Sequence, residues 1–177
     1  MPIRIFGAAM LLLTTLSLSP IAHAQNGAVP TTFRIYGQVT NPANVNLTKL
    51  EKLPVTTQNV TYFAAGQVTS HAFTGALLWD LLQSAGMKVD PNVKNDILRL
   101  VVVVTGSDGY ESVFGVGELA PGFGGDQILV AYAQDGQSLG QEGFAKIIAP
   151  GDKMGGRFVS NIVKIEVRNV DFPSYTH

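Results

Sequence analysis

The sequence predicts a strand-rich α+β fold, and three observations carry that reading. Leu98, Leu100 and the unbroken Val101-Val102-Val103-Val104 form a bulky apolar run without polar alternation, as expected of a central strand covered on both faces. Segments on either side of it alternate apolar and polar residues or are rich in β-branched and aromatic ones. A single stretch, Gly75 to Ala85, instead carries the stripe of an amphipathic helix.

Each element follows in order. Arg4, the apolar residues Met10 to Leu13 with Leu16 and Leu18, and Ala22-His23-Ala24 have the layout of a signal peptide cleaved after Ala24. Thr14, Thr15, Ser17, Ser19 and Pro20 break the apolar run short of the ~20 residues that span a bilayer. The chain therefore divides into a signal peptide (1–24), a flexible tether (25–31), one domain (32–170) and a tail (171–177), with the mature protein starting at Gln25. Export, to a periplasm or outside the cell, is the expected destination.

Phe33, Ile35 and Val39 alternate with Arg34, Tyr36 and Gln38 as a half-buried strand that stops at Asn41-Pro42. Asn46 caps a short helix through Leu47, Leu50 and Leu53, and Pro54 ends it. Val55 to Phe63 reads as a strand, interrupted by Ala64-Ala65-Gly66. Thr74 is the expected cap of the Gly75–Ala85 helix, with Leu77, Leu78, Leu81, Leu82 and Ala85 on one stripe and Gly86 past its end. Trp79 lies off that stripe, half exposed or docked under a loop. After the valine run, Thr105 to Gly109 reverse the chain into a second strand containing Tyr110, Phe114 and Val116, and Glu118-Leu119 close the hairpin. Gly115 to Gly125, with five glycines and Pro121, reads as a mobile loop without the Gly-Lys-Ser/Thr ending of a phosphate cradle. Ile128, Val130 and Tyr132 resume the strand pattern, Asp135-Gly136 turns, and Lys146 to Ala149 make a short strand stopped by Pro150-Gly151. In the last strand Val159, Val163, Ile165 and Val167 face in while Lys164, Glu166 and Arg168 face water.

Composition narrows the function. Without Arg4 the chain has 11 basic residues against 13 acidic ones, so it lacks the basic excess that nucleic acid selects. It has no cysteine, which rules out thiol chemistry and every Cys-based metal motif. Two histidines remain in the mature chain, His71 and His177, too few for a histidine-rich site, and the spacing of the sequence assembles no Ser/His/Asp set around the one loop histidine, His71. Asn46-Leu47-Thr48 and Asn59-Val60-Thr61 are glycosylation sequons, relevant only in a eukaryotic secretory pathway.

Several motifs run together in a known order. They are Leu47, Leu50, Leu53 and Pro54; Gly75, Leu78, Leu81, Leu82, Ala85 and Gly86; and the valine run with Asp108-Gly109-Tyr110 and Glu118-Leu119. Asp135-Gly136, Leu139, Gly143, Lys146-Ile147-Ile148, Pro150-Gly151-Asp152, Gly155-Gly156-Arg157 and Ile165-Glu166-Val167 complete the order. From Phe33 to Val167 the chain resembles the molybdopterin-binding domain of sulfite-oxidase-type oxidoreductases, in particular its short stand-alone members. The resemblance implies that fold and molybdopterin as cofactor, although the residues themselves support no cofactor. It also implies a molybdenum-ligating cysteine in the loop before the Gly-Leu-Leu helix, because a soft anionic sulfur suits that metal. Here that loop is Ala64 to Phe73, with Gly66, Gln67, Ser70 and His71 and no thiol. Lys146 stands where members often have an arginine, whose planar fork grips phosphate in two places.

The binding candidates are His71, Lys146, Lys153, Arg157 and Asp108; no catalytic residue or metal ligand is expected. Lys146, Lys153 and Arg157, with the Gly155 and Gly156 N–H groups, would make an anion site, or else ordinary surface ion pairs with Asp152 nearby. His71 would bond a ligand or sit in an exposed loop. Asp108 would line the same cleft, but backbone bonding in its Asp-Gly turn is the better explanation. Two functions follow: a non-catalytic module that binds a small anion or a protein partner, and a molybdopterin-dependent oxidoreductase, or its subunit, working with an electron carrier.

Overall fold

The computed structural model describes residues 28–170. The expected signal segment, cleavage site and tail lie outside them. Two five-stranded sheets make up the fold. The first contains β1 (Thr32–Gly37), β2 (Ala43–Asn46), β5 (Leu100–Gly106), β6 (Glu111–Gly115) and β10 (Ile162–Asn169), in the order β2-β1-β10-β5-β6. The second contains β3 (Val55–Ala64), β4 (Gln67–Leu77) and β7 (Leu129–Gln134), and both β8 (Gln137–Ser138) and β9 (Lys146–Ile148) pair with β7. Every pairing is antiparallel except β1 with β10, where Arg34 lies opposite Lys164.

Apolar side chains from facing sides of the two sheets meet at α2 (Leu78–Ala85). Phe33 and Ile35, Val102 and Val104, Phe114, Val130, Ile147, Ile165 and Val167 close one cluster with Leu78, Leu81, Leu82 and Ala85. Gly86 ends the helix in the left-handed conformation at φ 69°, where only glycine is unstrained. Trp79 is half-buried against the same cluster. A smaller cluster of Val60, Tyr62, Phe73, Leu129, Ala131 and Ile148 lies on the other face of the second sheet, because neighbouring strand residues point to opposite sides.

Several expectations change. Strand β10, not β5, is the middle of its sheet. Leu98 lies in a 3-10 turn (Asp96–Arg99), and β5 begins at Leu100. Its valines are buried on both sides for different reasons: Val102 and Val104 enter the core, whereas Val103 lies between its cross-strand neighbours Val113 and Glu166. The segment expected to be the Ala64–Phe73 loop is a hairpin. Ala65 (φ 49°) and Gly66 (φ 83°) form its tight turn, and Gln67 to Leu77 run back as a strand. Thr74 is therefore no helix cap; its hydroxyl bonds that of Thr57 across the hairpin at 2.8 Å. The helix starts at Leu78, with Leu77 as a cap lacking a side-chain bond.

Asn46 does cap the one-turn helix α1 (Leu47–Leu50), its Oδ1 accepting from the Lys49 N–H at 3.0 Å. The glycine-rich stretch is partly ordered: Val116–Leu119 form a one-turn helix, α3, and Gly124 and Asp126 donate back to Gly117 and Glu118. In β10 a register shift between Ile162 and Lys164 turns Ile162 into the core and leaves Val163 half-buried.

Candidate functional site

The segment 152–158 crosses from one sheet to the other and carries two of the five candidate residues, Lys153 and Arg157. Arg157 ends a 3-10 turn (Gly155–Arg157) and holds Asp152 with two parallel bonds, Nε to Oδ2 at 2.9 Å and NH2 to Oδ1 at 2.7 Å. Its remaining nitrogen reaches Glu118 of α3 at 3.4 Å, and its guanidinium lies 5.0 Å from the Phe114 ring. The Asp152 hydrogen bonds hold the Arg157 pKa above its ordinary value. Asp108 uses its Oδ1 to accept from the Tyr110 N–H, forming the turn between β5 and β6, and the Tyr110 hydroxyl donates to the Gly156 carbonyl. The Asp108 turn and the Arg157 turn are thus joined through Tyr110.

The other cations do not converge on a common anion. Lys146 is buried in β9, and its ammonium donates to Glu142 at 2.6 Å; Ser160 donates to the same carboxylate oxygen. Lys153 is exposed, and its backbone carbonyl accepts from the Phe63 N–H at 2.9 Å. Its ammonium meets no partner among the described residues. With Asp152 and Glu118 on Arg157 and Glu142 on Lys146, carboxylates already occupy two of the three cations expected to receive an anion, and Lys153 is left.

His71 lies on β4, beside β3. Its Nδ1–H donates to Asp135 Oδ2 at 2.7 Å, so Nε2 is the nitrogen that meets the Thr69 hydroxyl at 3.0 Å. Asp135 also accepts from the Ala72 N–H at 2.9 Å; that bond, then the one from His71, holds its carboxyl below the usual range. Tyr62 packs beside His71, with Phe158 at 4.7 Å between ring centroids. Burial, then the charges of Glu142 and Asp135, pushes the Tyr62 hydroxyl up. Thr69, His71 and Asp135 form the hydroxyl–imidazole–carboxylate chain that the sequence seemed unable to assemble. Thr69 and His71 share a strand face by their two-residue spacing, a signal hidden by reading 64–73 as a loop. Hydrolysis needs oxyanion donors and a concave floor as well. Asp135 remains half exposed and the chain lies on an open sheet surface. Among the described residues no group of three or more His, Cys, Asp or Glu side chains could hold a metal ion.

The family model for the oxidoreductase molybdopterin binding domain matches residues 26–176. The chain belongs to that family. Among solved structures, the sulfane dehydrogenase SoxCD from Paracoccus pantotrophus is similar in fold, with a TM-score of 0.63 and 18% identity over 77% of this chain. The match covers 38% of the SoxCD chain, so this protein spans well under half of that relative. No curated protein matches the chain. The family gives the strand-rich fold its context, including the order from the β5–β6 hairpin to β10, and it makes molybdopterin the cofactor against which the site is to be judged.

Proposed function

We propose that the chain is an exported, non-catalytic member of the molybdopterin-binding family that docks a protein partner in place of holding a molybdenum centre. The donor set carries this reading. The sequence has no thiol to ligate molybdenum, and Arg157 and Lys146 are already neutralised by Asp152, Glu118 and Glu142. Ser70 is a weak substitute because its alkoxide is costly to form, and its hydroxyl already accepts from Thr61 at 3.0 Å. The residues present therefore do not fit the metal group.

An apolar surface favours a protein partner over a small anion. Phe63 and Val68 lie opposite each other at the tip of the β3–β4 hairpin, Met154 bridges to Phe63, and all three are exposed, Val68 to 69%. Lys153, which precedes Met154 in the chain and whose ammonium has no partner among the described residues, adds a positive charge to this segment, which suits a partner with apolar side chains and a carboxylate. No helix among the described residues is long and apolar enough to cross a membrane.

Metal and pterin analysis of the mature protein, made in a host with an intact molybdopterin pathway, tests the non-catalytic half. The expected result is no molybdenum above background. Stoichiometric metal with sulfite- or sulfoxide-linked turnover would reverse the reading in favour of an oxidoreductase, or its subunit, coupled to an electron carrier.

A further inference from the structure

A cavity of about 260 Å³ opens between the first sheet and α2, away from the residues considered above. Ile35, Val45, Leu53 and Leu81 supply its walls. Water there would find few of the two to four polar partners that hold an ordered molecule in place. The polar groups are at the rim, where Lys49 and Asn41 are exposed. Lys49 has three N–H donors and spends one on the Asn44 carbonyl at 2.6 Å. The Asn41 backbone N–H is fixed on the Ala85 carbonyl, which anchors the residue and leaves its side-chain amide pointing no donor at any described partner. No aspartate or glutamate lines the cavity, so the Lys49 charge is not neutralised within it.

We propose that this cavity is a binding site for a small amphiphile with an apolar tail and a carboxylate head. The tail lies against Ile35, Val45, Leu53 and Leu81, and the head meets Lys49 and Asn41 at the mouth. At about 30 Å³ for each water-sized group, the volume admits roughly eight or nine such groups. That suits a medium-length acyl chain better than a drug-sized molecule. The charge-assisted bond to Lys49 selects the head, while wall burial supplies most of the attraction.

Octanoate, octanol and octylammonium are the probes, titrated into the mature protein by calorimetry and by methyl NMR. Octanoate should bind saturably, shift the Ile35, Val45 and Leu81 methyl signals, and bind at least tenfold more tightly than the other two. Lys49→Glu should lower octanoate affinity tenfold or more and leave octanol affinity unchanged, which separates loss of the head-group contact from loss of the Lys49 bond to the Asn44 carbonyl. Ala43→Leu, which fills the cavity from its wall, should abolish binding of all three. Absence of saturable octanoate binding would overturn the proposal, as would equal affinity for octanol or an unchanged affinity in Lys49→Glu. Because the cavity shares no residue with the hairpin surface, these results are independent of whether a protein partner docks there.

Discussion

Arg157 is a structural clamp before it is anything else. Its fork takes both oxygens of Asp152, with Glu118 at its side and the Phe114 ring beneath it, so it ties the 152–158 segment to β6 and α3. Arg157→Ala should lower stability by about 1–2 kcal/mol, less than a buried pair would cost because the side chain is over a third exposed. Arg157→Lys should restore only part of this, since an ammonium cannot make both bonds; urea unfolding of the three proteins checks the order. Phosphate affinity, by contrast, should not change. Asp135 gives a pH test. Its folded-state pKa is lowered by the Ala72 N–H and by His71, so the stability it contributes is present above the unfolded-state value of about 4 and is lost as pH falls through the lower folded value. Asp135→Asn should melt below wild type at pH 7, and the gap should narrow as both are acidified below about pH 4. A gap independent of pH would refute the assignment.

Among the elements, β4 separates two readings of one glycine. By sequence, Gly75 is the first residue of a helix; in the structure it lies inside β4, where an added Cβ would come within 2.2 Å of the Val130 carbonyl oxygen and 2.5 Å of the Ala131 Cα. At a helical position Gly→Ala stabilises by roughly 1 kcal/mol. In this strand it must push β7 away, so Gly75→Ala should destabilise by about 1–3 kcal/mol or more. Thermal melts of that variant therefore read the element by the sign of the change. Val102→Asp belongs here too: Val102 is fully buried in β5, so the variant buries an unpaired charge and should fail to melt cooperatively. The elements with a strong local signal were legible: the unbroken valine run, the Leu81-Leu82 stripe and the Asn46 cap. Those without one were not. Thr69, His71 and Phe73 share a face, but the polar Gln67, Ser70 and His71 looked like loop, and pairing across the Ala65-Gly66 turn decided otherwise. Glu118 as a partner of Arg157 lay beyond any local pattern, since the two are 39 residues apart and meet only because the 152–158 segment crosses the sheets; Glu142 is only four residues before Lys146, but an irregular turn and a short strand gave no period that would pair them.

For the whole molecule, family and fold were legible from the order of short motifs, although identity to the similar SoxCD structure is only 18%. What the order could not reveal is that Glu118 also reaches Arg157, because that contact joins residues 39 apart in the chain. Export is tested on the molecule as a whole: mass spectrometry of the protein from an envelope fraction should find Gln25 at its N-terminus, and an intact Met1 in a strain with working signal peptidase would count against it. The parallel pairing of β1 with β10 has a further effect, in time rather than space. Arg34 and Lys164 are 130 residues apart along the chain, yet they are neighbours in one ladder, so the first sheet cannot close until the last described strand has arrived. Such long-range closure belongs with folding in milliseconds to seconds. A chain delivered from its N-terminal end would wait with the flanks of β1 and β5 open, receptive to whatever holds extended segments, and β10 would enter between them as the final, locking strand.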